Sequence, residues 1–394
     1  GKGSLIQRMK RRKAKRVAIA LEMEWGYKRH LETYAGCQRY ADEAGWDCSI
    51  TPTTPKLLRM ENGKPTFDGI LARATPPLAT VAKRMNVPLV NLWLNSPIQN
   101  LPGVFADFEA SGTMAAEHLI GRGFKRFGYL GFLRDKDARL QLTGFHNRLK
   151  GEGLRCTTHR FSRTSVTDKA QGWKTFIDGL GKWADSWELP IGIFVVNDLY
   201  CRYLNDVCRP KDLHVSQDVG IVGCSNEPTI CASPPPTLTS IDLNHEQIGY
   251  RAASLLDRMM KGAKPPKTPE LVPPIELIPR QSTDSYAADD PIVSRALRFI
   301  AESTNQPIKV IDVANEMGIN RRTLERRFSE SVGRSIAGEI TRLRLARAKR
   351  QLVESGSPLK TVARSCGFRN ADHFHKVFAR AEGITPTQYR KKRQ

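Results

Sequence analysis

Val310-Ile311-Asp312-Val313-Ala314-Asn315-Glu316-Met317-Gly318-Ile319-Asn320 runs directly into Arg321-Arg322-Thr323-Leu324-Glu325-Arg326-Arg327-Phe328. The pattern returns as Leu359-Lys360-Thr361-Val362-Ala363-Arg364-Ser365-Cys366-Gly367-Phe368, continuing to Phe374, Val377 and Phe378. Each copy reads as a short helix, a Gly-apolar turn and a second, more polar helix. Ala314 and Ala363 are small where two helices must cross. Gly318 and Gly367 stand where a helix must end in a left-handed turn, a conformation that costs glycine least. Ile319 and Phe368 then fill the corner. This is the helix-turn-helix layout, whose second helix enters the major groove of DNA.

The charge distribution agrees. The chain has 394 residues and a net charge of +22. Residues 1–16 hold eight Lys and Arg and no acid. Residues 287–394 hold 22 basic residues against 11 acidic ones, net +11, which leaves +3 for 17–286. A basic, helix-turn-helix C-terminus points to a polyanion, although charge alone leaves a ribosome or a membrane surface open. The tail 1–16 has two readings, a solvated arm or a non-specific DNA contact. The eight cysteines form no CxxC pair and no ligand-like spacing with His, so no metal is expected and a reducing compartment fits. No apolar run reaches the roughly 20 residues of a membrane span, and no signal peptide is expected.

Ahead of the basic domain, short apolar runs alternate with helical stretches. The runs lie at 17–21, 69–72, 89–92, 127–130, 191–196 and 219–223. The helical stretches lie at 27–44, 78–85, 110–122, 138–152, 170–180, 200–207 and 248–261. Such alternation means parallel sheets wrapped by helices, and about 270 residues implies two lobes. Ligands bind beyond the carboxyl ends of parallel strands. Asn197-Asp198 and Ser225-Asn226-Glu227 stand at such ends. They are ligand-binding candidates, or Asn197 and Asp198 merely cap the next helix. Polar residues 281–291 read as the link between domains. From 292 everything is helical, with an amphipathic separator over 334–355 ending at Gly356 and Pro358.

The C-terminal motifs Leu324-Glu325-Arg326-Arg327-Phe328, Gly333, Gly367-Phe368, Phe374, Phe378 and the closing Gly383-Ile384-Thr385-Pro386-Thr387-Gln388-Tyr389-Arg390 closely resemble the AraC/XylS family of transcription regulators. The earlier pieces Ala115-Ala116-Glu117-His118-Leu119, Arg122-Gly123-Phe124, 138–145, Val195-Val196-Asn197-Asp198 and 236–241 resemble the effector domain of the LacI/GalR family. The resemblance implies a two-lobed, periplasmic-binding-protein-like α/β sensor over 17–283, a linker at 284–290 and an all-α DNA-binding domain with two helix-turn-helix motifs over 291–394.

It further implies that Arg139, Asn197, Asp198, Ser225, Asn226 and Asp107 face the effector. Ser225 stands where the family has Asp, and Phe108 follows Asp107 where Asn is usual, so the pocket differs from the family's. Trp25 and Tyr27 either stack on a sugar face or pack at the surface. The DNA-facing candidates are Asn320, Arg321, Arg322, Glu325 and Arg326 in the first unit, and Asn370, Asp372, His373, His375 and Lys376 in the second. Arg forks to guanine and Glu accepts from cytosine. Asp372 is a base reader or a helix cap. Arg327 reads better as a phosphate clamp or a structural ion pair.

The expected protein is a cytoplasmic, nucleoid-associated homodimer with no cofactor. It binds a double-stranded operator of a carbohydrate-utilisation operon and answers to a sugar such as xylose, or a polyol. If it activates, as that family usually does, RNA polymerase is a further partner. The alternative keeps the DNA binding but gives the altered pocket a non-sugar ligand, or none, and a role in dimerisation. An enzyme is not expected. The chain shows no Pro-Cys-His setting, no Ser-His-Asp spacing, no P-loop and no GxGxxG after a strand. A transport-type binding protein is disfavoured by the missing signal peptide.

Overall fold

The computed structural model describes residues 14–163 and 170–393, so nearly all of the basic tail 1–16 lies outside the described residues. The chain forms two compact units. The first takes in residues up to 111, with 134–141 and 242–274. The second takes in 112–133, 142–241 and 275 onward.

The first unit is built on a parallel sheet of four strands in the order β2-β1-β3-β4. These are β1 (Arg16–Ala20), β2 (Asp47–Ile50), β3 (Gly69–Ala72) and β4 (Leu89–Asn91). The inner strands β1 and β3 are apolar runs, as strands covered on both faces must be. Val17, Ala18, Ile19, Ile70 and Leu71 are fully buried. β2 escaped the sequence reading because it is an edge strand with mostly exposed residues. A short parallel pair, β5 (Val104–Ala106) with Glu270–Val272, was also missed.

Two long helices of this unit, α1 (Lys28–Ala44) and the helix His245–Met260, pack backbone to backbone. The reason is two glycines. A Cβ at Gly36 would collide with the Glu246 carbonyl, and one at Gly249 with the Thr33 carbonyl. The Cys37 thiol donates to the Gly249 carbonyl at 3.4 Å across the same crossing.

The second unit holds a six-stranded sheet whose central members are β6 (Phe127–Phe132), β8 (Ile191–Val195) and β9 (Val219–Cys224), all buried and parallel. Its edge strand β7 (Cys156–Phe161) is mostly exposed or half-buried and, like β2, gave no apolar run to read. Three helices of this unit matter below: α3 (Phe108–Gly121), whose last ten residues belong here, α5 (Ala170–Asp185) and α6 (Asp198–Cys208). Two others belong in part or whole to the first unit, α2 (Pro76–Arg84) and the start of α4 (Lys136–Gly151). The helix His245–Met260 is α7.

The helical C-terminal part of this unit follows the sequence expectation closely. It comprises α8 (Pro291–Glu302), α9 (Val310–Met317), α10 (Arg321–Val332), α11 (Ile336–Glu354), α12 (Leu359–Ser365), α13 (Ala371–Glu382) and α14 (Pro386–Arg393). Gly318 and Gly367 adopt φ of 68° and 73°, the left-handed turn each motif requires. Two hydrophobic clusters result. Val313, Ala314, Leu324 and Phe328 share one with Ile336 and Ile340. Val362, Ala363, Phe368, Phe374 and Phe378 share the other with Leu345, Ala348 and Leu352. The helix α11 therefore feeds its first half to one motif and its second half to the other.

Replacing Gly249 by Ala should force α1 and α7 apart and lower stability by about 2 kcal/mol, the usual scale for overpacking. Gly151→Ala, where a Cβ meets open space, should leave thermal unfolding unchanged. Equal melting curves for the two variants would refute the tight crossing.

Candidate effector site and nucleic-acid interface

In the second unit the strand-end residues are drawn into one hydrogen-bonded group. Asn197 caps α6, its Oδ1 accepting from the Tyr200 amide at 3.3 Å. Asp198 is buried. Its Oδ1 accepts from the Ser240 hydroxyl at 2.5 Å and its Oδ2 from the Glu227 amide at 2.8 Å. The Asn226 amide N–H donates to Ser240 Oγ at 3.0 Å, and its Oδ1 accepts from Arg280 at 2.7 Å. Ser225 and Asn226 hold φ of 102° and 51°. Left-handed backbone at two successive non-glycine residues is strained, and such strain persists where surrounding bonds over-determine it. Here the Ser225, Asn226 and Glu227 amides are all fixed, to Ile241 O, Ser240 Oγ and Asp198 Oδ2. Asn197 thus caps the helix, as the second reading expects, while Asp198 ties the loop to the strand end. Burial raises the Asp198 carboxyl to about 6, against the pull of the Ser240 and Glu227 hydrogen bonds.

In the first unit, Trp25 and Tyr27 lie in the loop after β1, with rings 6.5 Å apart and edge to face. Both are about 40% exposed, so neither is a core residue. The sequence reading missed their partner. The Arg73 guanidinium stands 4.9 Å from the Trp25 ring centroid and 3.7 Å from that of Trp93, a cation between two indole faces. Arg73 directly follows β3, so the strand-end rule that selected Asn197 would have found it. Arg29 lies over Tyr27 at 5.2 Å. His30, at 5.4 Å from Trp25, is buried with Nε2 unpaired; burial and the Arg29 and Arg73 charges lower it to about 4, so it is neutral. Asp107 caps α3, its Oδ1 accepting from the Ala110 amide at 2.9 Å. Arg139 is an exposed residue near the start of α4.

On the helix-turn-helix units, Asn320 and Asn370 are N-caps. Asn320 Oδ1 accepts from the Arg322 and Thr323 amides, and Asn370 Oδ1 from the His373 amide. Their own side-chain oxygens are thereby engaged, and they set the start of each recognition helix. Arg321, Arg322 and Arg326 on α10 are exposed, as are Asp372, His373, His375 and Lys376 on α13; Glu325 is half-buried. Arg321 pairs with Glu325 and Arg326 with Glu330, both at 3.1 Å and both one helical turn apart. Such exposed pairs are worth little and yield readily to a phosphate or a base. Asp372 lies in the first turn of α13, where the helix dipole favours a carboxylate. Arg327 points elsewhere. It forks onto Asp290 with two bonds of 2.6 Å, fastening α10 to the N-cap of α8 and holding the Asp290 carboxyl below its ordinary range. That is the structural ion pair.

Among the described residues no helix is long and apolar enough to cross a membrane, and no cluster of His, Cys, Asp and Glu has the arrangement of a metal site.

Two family models match the chain. Residues 116–283 match the periplasmic binding protein-like domain and residues 313–392 a helix-turn-helix domain. Over 276 residues the chain is 29% identical to the xylose operon regulatory protein of Escherichia coli K12, covering 69% of each chain. Over 300 residues it is 28% identical to the protein of that name from Haemophilus influenzae, covering 74% of this chain and 75% of the relative. The chain is a homologue of these regulators. It is a DNA-binding transcription regulator, with a periplasmic-binding-protein-like domain ahead of an AraC-type helix-turn-helix domain. The fold is shared with the solved structure of a xylose-binding transcription activator at a TM-score of 0.59 and 24% identity, over 97% of this chain and 99% of that one. The relatives are regulators, a non-enzymatic role.

The raised Asp198 carboxyl makes a pH prediction. Folded, it holds its proton up to about pH 6; unfolded, it releases it near 3.8, the ordinary value for an aspartate. The folded state therefore binds the extra proton between these values, and stability should fall as pH rises from 4 to 6. Linkage puts the loss at about 3 kcal/mol. Asp198→Asn should flatten that part of a melting-temperature profile, and an unaltered slope would remove Asp198 as its source.

Proposed function

We propose that this regulator activates a carbohydrate-utilisation operon in response to xylose or a closely related sugar. One observation carries the reading: this chain matches the relatives named for xylose regulation over about 70% of their length. The effector is held by the first unit's Trp25 and Tyr27, which offer apolar ring faces, with Arg139 and Asp107 supplying polar contacts. Asn197, Asp198, Ser225 and Asn226 are the candidate effector residues of the second unit. The chain acts as a homodimer and, as an activator, contacts RNA polymerase.

On DNA, the two recognition helices of one chain read successive major grooves, roughly 34 Å apart along the duplex. Arg322 and Arg326 read bases from α10. His373, His375 and Lys376 meet bases and phosphates from α13, and the Asn320 and Asn370 caps bring helix N-termini toward the backbone.

A second reading has a specific observation in its favour. The side-chain oxygens of Asn197, Asp198 and Asn226 already accept hydrogen bonds from within their own unit. A hydroxyl-rich ligand would have to share or displace those bonds. In this reading the ligand is not a sugar, and recognition rests on the aromatic and cationic residues around Arg73.

Calorimetric titration with D-xylose, D-ribose and L-arabinose separates the two. Heat of binding with D-xylose, lost in Trp25→Ala, is the expected result, and silence with every sugar would transfer the pocket to the second reading. For DNA, Arg326→Ala should weaken binding by about 1–3 kcal/mol on the best operator and relax the choice at one base position. A uniform loss over all operator variants would make Arg326 a phosphate contact.

A further inference from the structure

The start of α11 carries a carboxylate with no exposed surface. Glu339 accepts from Arg334 Nε at 2.5 Å and from Arg342 Nε and NH2 at 3.0 and 2.8 Å. Burial alone would raise its carboxyl, but the two guanidiniums outweigh that and hold it below the usual range. The Arg342 side chain is half-buried, and Glu339 keeps its guanidinium charged against the desolvation.

This cluster does not serve the helix-turn-helix core. It faces the C-terminal turn of α3. Arg334 Nη2 donates at 3.2 Å to the Ile120 carbonyl at the end of α3, which also accepts from the Gly123 amide at 3.0 Å. The Arg342 guanidinium lies so close over Gly121 that a Cβ there would collide with it. Next along the chain, the Arg122 guanidinium stacks on Tyr286 at 4.6 Å, and the Arg122 carbonyl accepts from the Ala287 amide at 2.7 Å. Ser216 accepts from the Ser285 amide at 3.2 Å, and its hydroxyl donates to Asp284 at 2.7 Å. The segment expected to be a linker is therefore tied down along 284–287. At its other face the same turn of α3 is anchored by His118, whose Nε2 lies 2.8 Å from Thr283 Oγ1.

We propose that the C-terminal turn of α3 is a docking surface for this chain's own first helix-turn-helix unit, and that Arg334, Glu339 and Arg342 are positioning residues which hold that unit at one orientation for DNA. The α3 helix has 14 residues and so spans about 20 Å. Asp107, an expected effector residue, caps its other end. From Asp107 the same helix runs on to the clasp, and effector control of DNA binding passes along it. This last step rests on the effector reading given above; the docking does not.

The test uses the full-length chain and Gly121→Ala. Alanine suits a helix interior, yet it evicts the Arg342 guanidinium without touching either hydrophobic cluster. Glu339→Gln is the second variant, which leaves two half-buried guanidiniums without their counter-charge. Hydrogen exchange should quicken about tenfold at the Ala287 amide and across 334–342, with the β6–β9 sheet unchanged, as expected of a local opening. Unchanged exchange in both variants overturns the docking.

Operator binding should weaken several-fold in both variants while binding to random-sequence DNA stays constant, because only the oriented complex gains from preorganisation. Arg342→Lys keeps the charge but loses the fork, so it should fall between. Operator affinity equal to that of the parent chain overturns the positioning role. In the third arm, D-xylose should change the parent's operator affinity more than that of Gly121→Ala. An equal response in the two chains overturns control through α3. A parent chain indifferent to D-xylose overturns the sugar reading alone, since exchange and operator affinity still decide the clasp.

Discussion

A carboxylate removed from water must be neutralised by groups that cannot leave. Glu339 imposes that demand at the start of α11, and much of the second unit's arrangement follows from it. Two arginines are committed to one acid, so the site carries a net positive charge and still has donors to place. One reaches the Ile120 carbonyl. The other leaves no room for a side chain at Gly121. Breaking one partner of such a group costs far more than the group contributes over an apolar substitute. A buried charge cluster of this kind is thus a device for holding one geometry, and here it holds the DNA-binding helices against the sheet domain of the same unit.

The two halves of the expected effector site differ in character. On the second unit the side-chain oxygens of Asn197, Asp198 and Asn226 accept hydrogen bonds from their neighbours, and the strained backbone at Ser225 and Asn226 is locked by three amides. On the first unit the chemistry is aromatic and cationic, with Arg73 clamped between Trp25 and Trp93. Ser225 occupies the place of an acid in the resembling family, and the hydrogen-bond pattern gives that departure a physical setting. The carboxylate beside it, Asp198, is spent on Ser240 and Glu227 and sits close to neutrality.

How much of this was legible in the sequence depended on where each residue lies. Central strands announced themselves because both faces are covered and every residue is apolar. The edge strands Asp47–Ile50 and Cys156–Phe161 did not, because their exposed faces are polar. The helix-turn-helix units were readable almost to the residue, since glycine at a left-handed turn and alanine at a close crossing leave few alternatives. Arg73 was passed over for want of its partners. Trp25 and Trp93 are far away in sequence, and only folding brings the two rings to one guanidinium. Glu339 and Arg342 lie within the amphipathic separator 334–355, and sequence period alone cannot reveal that α3 of the same unit covers their side.

The division of α11 between two hydrophobic clusters has a metric consequence. Ile336 and Ile340 belong to one motif, and Leu345, Ala348 and Leu352 to the other, with no break in the helix between them. Each residue of an α-helix advances by 1.5 Å and turns by about 100°. Adding or deleting one residue between Ile340 and Leu345 would therefore rotate the second motif by nearly a third of a turn against the first. B-DNA presents its major groove to one side only once per turn of the duplex. The residue count of α11 therefore fixes the phase between the two motifs, which is written in the length of a single helix.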